Sequence, residues 1–132
     1  MMAYRKINAL IWDDDWFVAL SDFDRMVWFA VLAGPQVRAI PGLMVATAAT
    51  ISDYLRRSPR DVANALARLE DAGRVEVDRD ARMLRVPNAP RWAVEHGEPE
   101  NPNVIKGWWK AWKELPECDL KRRHLSPPRD AY

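Results

Sequence analysis

The sequence predicts a mainly α-helical domain that carries one small β-hairpin, and three observations lead to this fold class. Apolar residues recur at helical spacing through residues 48–72, and the spacing changes to alternation after Gly73. Gly and Pro residues stand at the boundaries of the periodic segments. The chain has 132 residues, of which 48% are hydrophobic and 30% charged, which suits one compact domain.

The N-terminal elements are predicted to be short. The segment "YRKINALIW" alternates weakly and indicates a short strand or an extended arm. Asp13 is placed to cap a short helix that runs to Leu20. Consecutive carboxylates at residues 13–15 point in different directions on a helix start, so capping and the helix dipole explain them better than a cation site does.

A central helix is predicted next. Ser21 with Asp24 resembles a capping box in which Asp replaces the usual Glu, and Gly34 followed by Pro35 is a stop signal. The segment "MVWFAVLA" between them is apolar on all sides. We therefore expect this helix to be buried on most sides, within the chain or by a partner.

Two further helices are predicted, separated only by "RRS". A strand is expected near residues 43–45, before the first of these helices. The second has Ser58 as its N-cap and Pro59 at the first helical position, and Gly73 closes it. Three residues repeat at helical spacing along it and are expected to face the core, namely Val62, Leu66 and Leu69.

A β-hairpin is predicted after Gly73. Val75 and Val77 alternate, a polar turn follows, and Met83, Leu84 and Val86 supply the apolar residues of a second strand before Pro87. Two helices joined by a tight turn and followed by a hairpin indicate a winged helix-turn-helix. In that arrangement the first helix braces the second, and the second presents one polar face outward.

This polar face predicts binding to double-stranded DNA. Arg can bond the acceptors of guanine in the major groove and Asn can pair with adenine, while the other arginines suit phosphate contacts. The candidate DNA-binding residues are Arg56, Arg57, Ser58, Arg60, Asn64, Arg68, Arg79, Arg82 and Arg85. Residues 56–85 contain eight Arg, six acidic residues and no Lys, a net of +2, which favours bidentate recognition over point-charge attraction. There are two alternatives to DNA binding. The charged residues form a face that is simply solvated, or the fold binds a protein partner.

The segment "NPNVIKGWWKAWKEL" predicts an amphipathic helix that Asn101 caps, Pro102 opens and Pro116 ends. We expect its tryptophans to pack on the domain or on a second subunit. Stacking of single-stranded nucleic acid on Trp108 or Trp109 is an alternative, and a membrane-lying helix is weaker because attachment needs a second signal. The apolar side is formed by Ile105, Trp108, Trp109 and Trp112, and the opposite side by Lys106, Lys110 and Lys113. "ECDLKRRHL" adds one or two helical turns.

A family resemblance points the same way. The stretches "RKINALIWDDDWFVALSD", "ISDYLRRSPRDVANALARLEDAGRVEVD" and "PENPNVIKGWWKAWKELPECDLK" together resemble the N-terminal winged-helix domain of phage replication-type proteins, which are replication initiators or replisome organisers. The resemblance covers nearly the whole chain, and "ENPNVIK" with "ELPEC" is its most specific part. It implies DNA binding in a phage or prophage context. Because helix-turn-helix proteins often dimerise to read two half-sites, we also expect a homodimer, or a replication protein, as a further partner. Transcriptional regulation by the same fold is a close variant.

The domain organisation follows from these elements. Residues 1–100 are expected to form the winged-helix domain with its N-terminal arm and connecting loop. Residues 101–125 form a Trp-rich helical extension packed on it, and residues 126–132 a flexible tail.

Composition excludes several function classes. A net charge of +1 gives the protein no overall electrostatic attraction to nucleic acid or anionic lipid. Any such binding must therefore depend on local patches of basic residues. Cys118 is the lone cysteine, which fits the reducing cytoplasm of a bacterial host. The first residues, "MMAYRKINALIWDDDW", contain no long apolar run, so we expect neither a secretory signal nor a membrane span there. Cys118 and His124 lack two further ligands at zinc spacing. With no catalytic constellation and no phosphate-binding Gly loop, we expect a protein that is not an enzyme and holds no cofactor or metal.

Overall fold

The computed structural model describes residues 5, 7–37, 40–89 and 102–125, with the backbone alone for 102–105 and 125. This part of the chain is mostly helical and contains a small three-stranded antiparallel sheet. The helices are α1 Asp15–Val18, α2 Asp22–Ala33, α3 Ala48–Leu55, α4 Pro59–Asp71, α5 Pro102–Glu114 and α6 Asp119–Leu125, and the strands are β1 Leu43–Val45, β2 Glu76–Asp78 and β3 Met83–Arg85. The predicted cap at Asn101 and the predicted tail at 126–132 lie outside the described residues.

The N-terminal segment differs from its prediction. Residues Ala9–Asp13 form a 3₁₀ turn instead of a strand or extended arm, and the Asn8 side chain caps this turn by accepting from the Leu10 amide. Asp14, and not Asp13, caps α1, because the Asp14 carboxylate accepts a hydrogen bond from the Trp16 amide at 3.0 Å.

Helix α2 begins and ends where it was predicted. The Ser21 hydroxyl accepts from the Asp24 amide at 3.1 Å, and Gly34 follows the last turn. The Asp24 carboxylate, however, bonds Arg68 rather than closing a capping box. The helix is buried on most sides but not all, since the Met26 side chain is 52% exposed.

A three-residue turn, residues 56–58, separates α3 from α4. Arg56 ends α3 in the left-handed conformation with φ 56°, and the Ser58 hydroxyl caps α4 by accepting from the Asp61 amide at 3.0 Å. Gly73, with φ 74°, follows α4 as predicted. The core face of α4 is confirmed, because Val62, Leu66 and Leu69 are all buried.

The sheet has the order β1–β3–β2, so the last strand in the chain is the central one. Alternation along β3 divides its side chains between two layers. Leu84 faces the cluster built by α2, α3 and α4. Met83 faces a second cluster that α5 and α6 supply with Trp108, Trp112 and Leu120. Both faces of the sheet are therefore covered.

Helix α5 is amphipathic, but its tryptophans do not all share one environment. Trp108 and Trp112 pack on the second cluster, whereas Trp109 is 52% exposed. Each residue turns a helix by about 100°, so Trp109 lies at the edge of the apolar side, next to the lysines. The prediction that Trp109 lies with Trp108 and Trp112 on the packed side is wrong.

Within the described ranges, no helix has the length and apolar character that crossing a bilayer requires.

Candidate nucleic-acid interface

The turn between α3 and α4 carries two exposed arginines. The Arg57 guanidinium lies over the Phe23 ring, 4.3 Å from its centroid, and the Arg57 amide donates to the Ser52 carbonyl at 3.3 Å. A guanidinium stacked on a ring face keeps its in-plane N–H groups free to bind an anion. Arg56 and Ser58 are exposed on either side of it.

The first half of α4 presents Arg60 and Asn64 to solvent, one turn apart. The opposite face of the helix is anchored by Val62 and Leu69, both fully buried. The N-terminal end of a helix carries a partial positive charge, which favours a phosphate nearby. A cation and an amide are thus held on a rigid support at the end of the helix that attracts anions.

Arg68 shares this helix, but its guanidinium is already bonded. Its Nε and Nη2 groups donate to the two carboxylate oxygens of Asp24, each at 2.8 Å. The Asp24 side chain is only 7% exposed, and the hydrogen bonds that Arg68 donates to Asp24 raise the pKa of Arg68. This bidentate pair links α4 to α2. Arg68 therefore helps to hold α4 in place, and its guanidinium is already engaged.

The hairpin turn, residues 79–82, places two arginines on the surface. The Asp78 carboxylate accepts from the Ala81 amide at 2.8 Å, and Arg82 adopts φ 57° with its side chain exposed. Arg79 is 71% exposed, and its guanidinium lies 3.5 Å from a carboxylate oxygen of Glu70. A long, exposed ion pair of this kind is weak and exchanges readily for a phosphate.

The two arginine groups lie near opposite ends of α4. Arg79 lies beside Glu70, ten residues beyond Arg60 on the same helix. At a rise of about 1.5 Å per residue this is about 15 Å along α4.

Arg85 was predicted to be exposed and to contact DNA. The prediction that it is exposed is wrong. Arg85 is 6% exposed, because α6 covers the outer face of β3, which is the face that carries Met83 and Arg85. Its guanidinium donates to His124 Nδ1 at 3.0 Å, to Glu76 Oε1 at 2.9 Å and to the Arg123 carbonyl at 3.4 Å. Burial is the main cause of a lowered pKa for Arg85. This side chain holds the hairpin to α6.

His124 is the other member of this buried cluster. Its Nδ1 accepts from Arg85, so the proton is on Nε2, which donates to the Pro41 carbonyl at 2.8 Å. Burial, with a smaller contribution from the Arg85 charge, lowers the pKa of His124 to about 4. The sequence places Arg85 two residues after Met83 and therefore on the same face of the strand, but nothing local indicates that a helix forty residues later covers that face.

The sequence-predicted residues thus fall into two groups. The structure brings Arg56, Arg57, Ser58, Arg60 and Asn64 together on one exposed surface, with Arg79 and Arg82 on the hairpin turn. Arg68 is exposed, but its guanidinium is paired with Asp24, and Arg85 is buried and bonded to His124 and Glu76.

No protein-family model, curated protein or solved structure matches this chain. In the described part of the chain, no group of three or more His, Cys, Asp or Glu side chains is placed to hold a metal ion.

Proposed function

We propose that this protein binds double-stranded DNA through the first half of α4, as a winged-helix protein of phage replication type that acts in replication initiation or its regulation. One observation carries the DNA-binding part of the proposal. Arg60 and Asn64 are exposed on a helix whose opposite face is fully buried, directly after a turn with two further exposed arginines.

The proposed contacts divide by chemistry. The start of α4 enters the major groove, where Arg60 bonds guanine acceptors and Asn64 pairs with adenine. Arg57, held on the Phe23 ring, bonds a phosphate of the strand beside the groove. Arg79 and Arg82 on the hairpin turn bond the backbone farther along the duplex.

The replication role rests on the resemblance of three stretches of the chain to phage replication-type domains, with "ENPNVIK" and "ELPEC" its most specific part. A transcriptional regulator would use the same helix and the same contacts. The two roles differ in the position of the bound site, at an origin or at a promoter.

The test is a set of salt titrations on two duplexes, one recovered by selection from a random library and one of random sequence. Changing Arg60 or Asn64 to Ala should weaken binding to the selected duplex by about 1–3 kcal/mol and reduce the preference between duplexes. The matched control is Arg122→Ala, which removes an exposed arginine from α6 on the other side of the sheet. If both α4 variants bind the selected duplex like the parent, α4 is not the reading helix.

Self-association is a second candidate function, and one observation favours a particular surface for it. The apolar side of α5 is packed on its own sheet, whereas several large apolar side chains at the N-terminal end are exposed, namely Leu10, Trp12, Val18 and Met26. A dimer through this end would present two copies of α4 to two half-sites. Sedimentation at micromolar concentration, with Trp12→Ala as the variant, tests it, and a monomer with and without duplex would exclude it.

A further inference from the structure

Helix α5 has an exposed aromatic ring among cations. Trp109 is 52% exposed, and Lys106, Lys110 and Lys113 are all exposed beside it. Lys106 is three residues before Trp109 and Lys113 four after, so both are its direct neighbours on the helix surface. In the part of the chain that the structure describes, none of the three lysines is within ion-pairing distance of a carboxylate.

We propose that this face of α5 binds single-stranded nucleic acid, with a base stacked on Trp109 and phosphates bonded by the three lysines. Every base has a π-face, so an exposed tryptophan stacks any sequence, and neighbouring cations follow the backbone. The lysines supply the charge that a phosphate requires, and they are free to supply it because they have no acidic partner in the described structure. A duplex is a poor ligand for this surface because its bases are stacked on one another.

An anionic membrane is the competing ligand for an amphipathic helix with lysines, and the packing argues against it. A helix that lies in a bilayer interface buries its apolar side among the acyl chains. In this protein that side is occupied, because Trp108 and Trp112 pack against the buried cluster that includes Leu43, Met83 and Leu120. The half-exposed ring of Trp109 remains. One such ring is enough to stack a base but too little apolar surface to hold the helix in a bilayer interface.

This binding is independent of the proposed duplex contacts. The residues on α5 pack on the outer face of the sheet, and α4 packs on the inner face. The two surfaces therefore have separate variants, and loss of one kind of binding does not imply loss of the other.

The experiment measures fluorescence anisotropy of labelled single strands of about 15 nucleotides, DNA and RNA, with the full-length chain. Trp109→Ala should weaken binding roughly 5- to 100-fold, the loss expected for one stacked base, whereas Trp109→Phe keeps an aromatic ring and should retain most of it. Lys106→Gln with Lys113→Gln should reduce the salt slope by about 1.4, since each phosphate contact contributes about 0.7 on a single strand. Val45→Ala is the matched control, because Val45 is likewise half exposed, at 50%, but belongs to β1 and not to α5.

The outcomes separate the ligands. Binding of either single strand that is lost in Trp109→Ala but kept in Val45→Ala and Arg122→Ala supports the proposal, and the ratio of the DNA and RNA affinities identifies the strand. Unchanged single-strand binding in both Trp109→Ala and the lysine double variant, or equal loss in Val45→Ala, would overturn it. Binding of phosphatidylserine vesicles without binding of either strand would also overturn it. The lysine variant changes only exposed side chains, so it gives a result even if Trp109→Ala lowers the stability.

Discussion

Acidification should destabilise this protein through His124. The imidazole is buried and neutral, with Arg85 donating to Nδ1 and Nε2 donating to the Pro41 carbonyl. A proton added to Nδ1 would displace the Arg85 hydrogen bond and place two cations side by side. Among the described residues, no carboxylate contacts the ring directly and could offset this charge, since Glu76 bonds Arg85 and Arg123, and Asp119 bonds Arg123.

The magnitude follows from the difference between the two pKa values of His124. The unfolded chain titrates near 6.5 and the folded protein at about 4. Between these values the unfolded state binds more protons, so the stability is full above the unfolded pKa and falls as the pH falls toward the folded one. The loss is about 2 kcal/mol at about pH 5 and approaches about 3 kcal/mol below pH 4, at 1.36 kcal/mol per pKa unit.

Urea denaturation between about pH 7.5 and about pH 5 measures this loss. His124→Gln retains an N–H for the Pro41 carbonyl and an oxygen for Arg85 but does not titrate, so its stability should depend much less on pH in this range. His96→Gln is the matched control, because His96 is the only other histidine of the chain. If the parent and His124→Gln lose equal stability on acidification, His124 is not the group responsible and the burial argument fails.

Two further predictions concern the stability of the fold. Arg85→Ala should lower the free energy of unfolding by about 2–4 kcal/mol, because it removes the partner of the partly buried Glu76 and of His124. Arg82→Ala, which changes an exposed residue of the hairpin turn just before β3, should alter this free energy little. Equal melting temperatures for the two variants would contradict the burial of Arg85. Gly42→Ala and Gly73→Ala both place a side chain at positive φ, 73° and 74°, which costs about 1–2 kcal/mol. Only at Gly42 does the new Cβ meet other atoms, Ala89 Cβ at 2.4 Å and the Val86 carbonyl at 2.7 Å, so thermal melts should show a clearly larger loss for Gly42→Ala than for Gly73→Ala.

The part of the fold that was predictable is the part with local signals. Ser58, Pro59 and Gly73 mark both ends of α4 by their own chemistry, and the change of period after Gly73 marks the hairpin. The choice of cap among three consecutive aspartates was not predictable, because residue type is the same at each and only the path of the chain distinguishes Asp14 from Asp13.

The candidate site was predictable where it depends on one helix and not where it depends on distant partners. Arg60 and Asn64 are exposed because the buried face of α4 is fixed by periodicity. Arg68 pairs with Asp24, 44 positions away, and Arg85 bonds His124, 39 positions away. Such contacts depend on how α2 and α6 pack against the rest of the fold. The pattern of charges along one segment does not predict this packing.

The sheet covered on both faces has a consequence for the thermodynamics of any ligand at the hairpin turn. Strand β3 is hydrogen-bonded to a neighbour on each side and packed by a helical layer above and below. An isolated two-stranded hairpin is only marginally stable in water. Here the hairpin is paired with β1 and packed on both faces, so a ligand at Arg79 and Arg82 meets a preorganised backbone and the entropy of association is less unfavourable. The hydrogen-bonded amides of the central strand β3 should accordingly exchange with solvent only as fast as the whole domain unfolds.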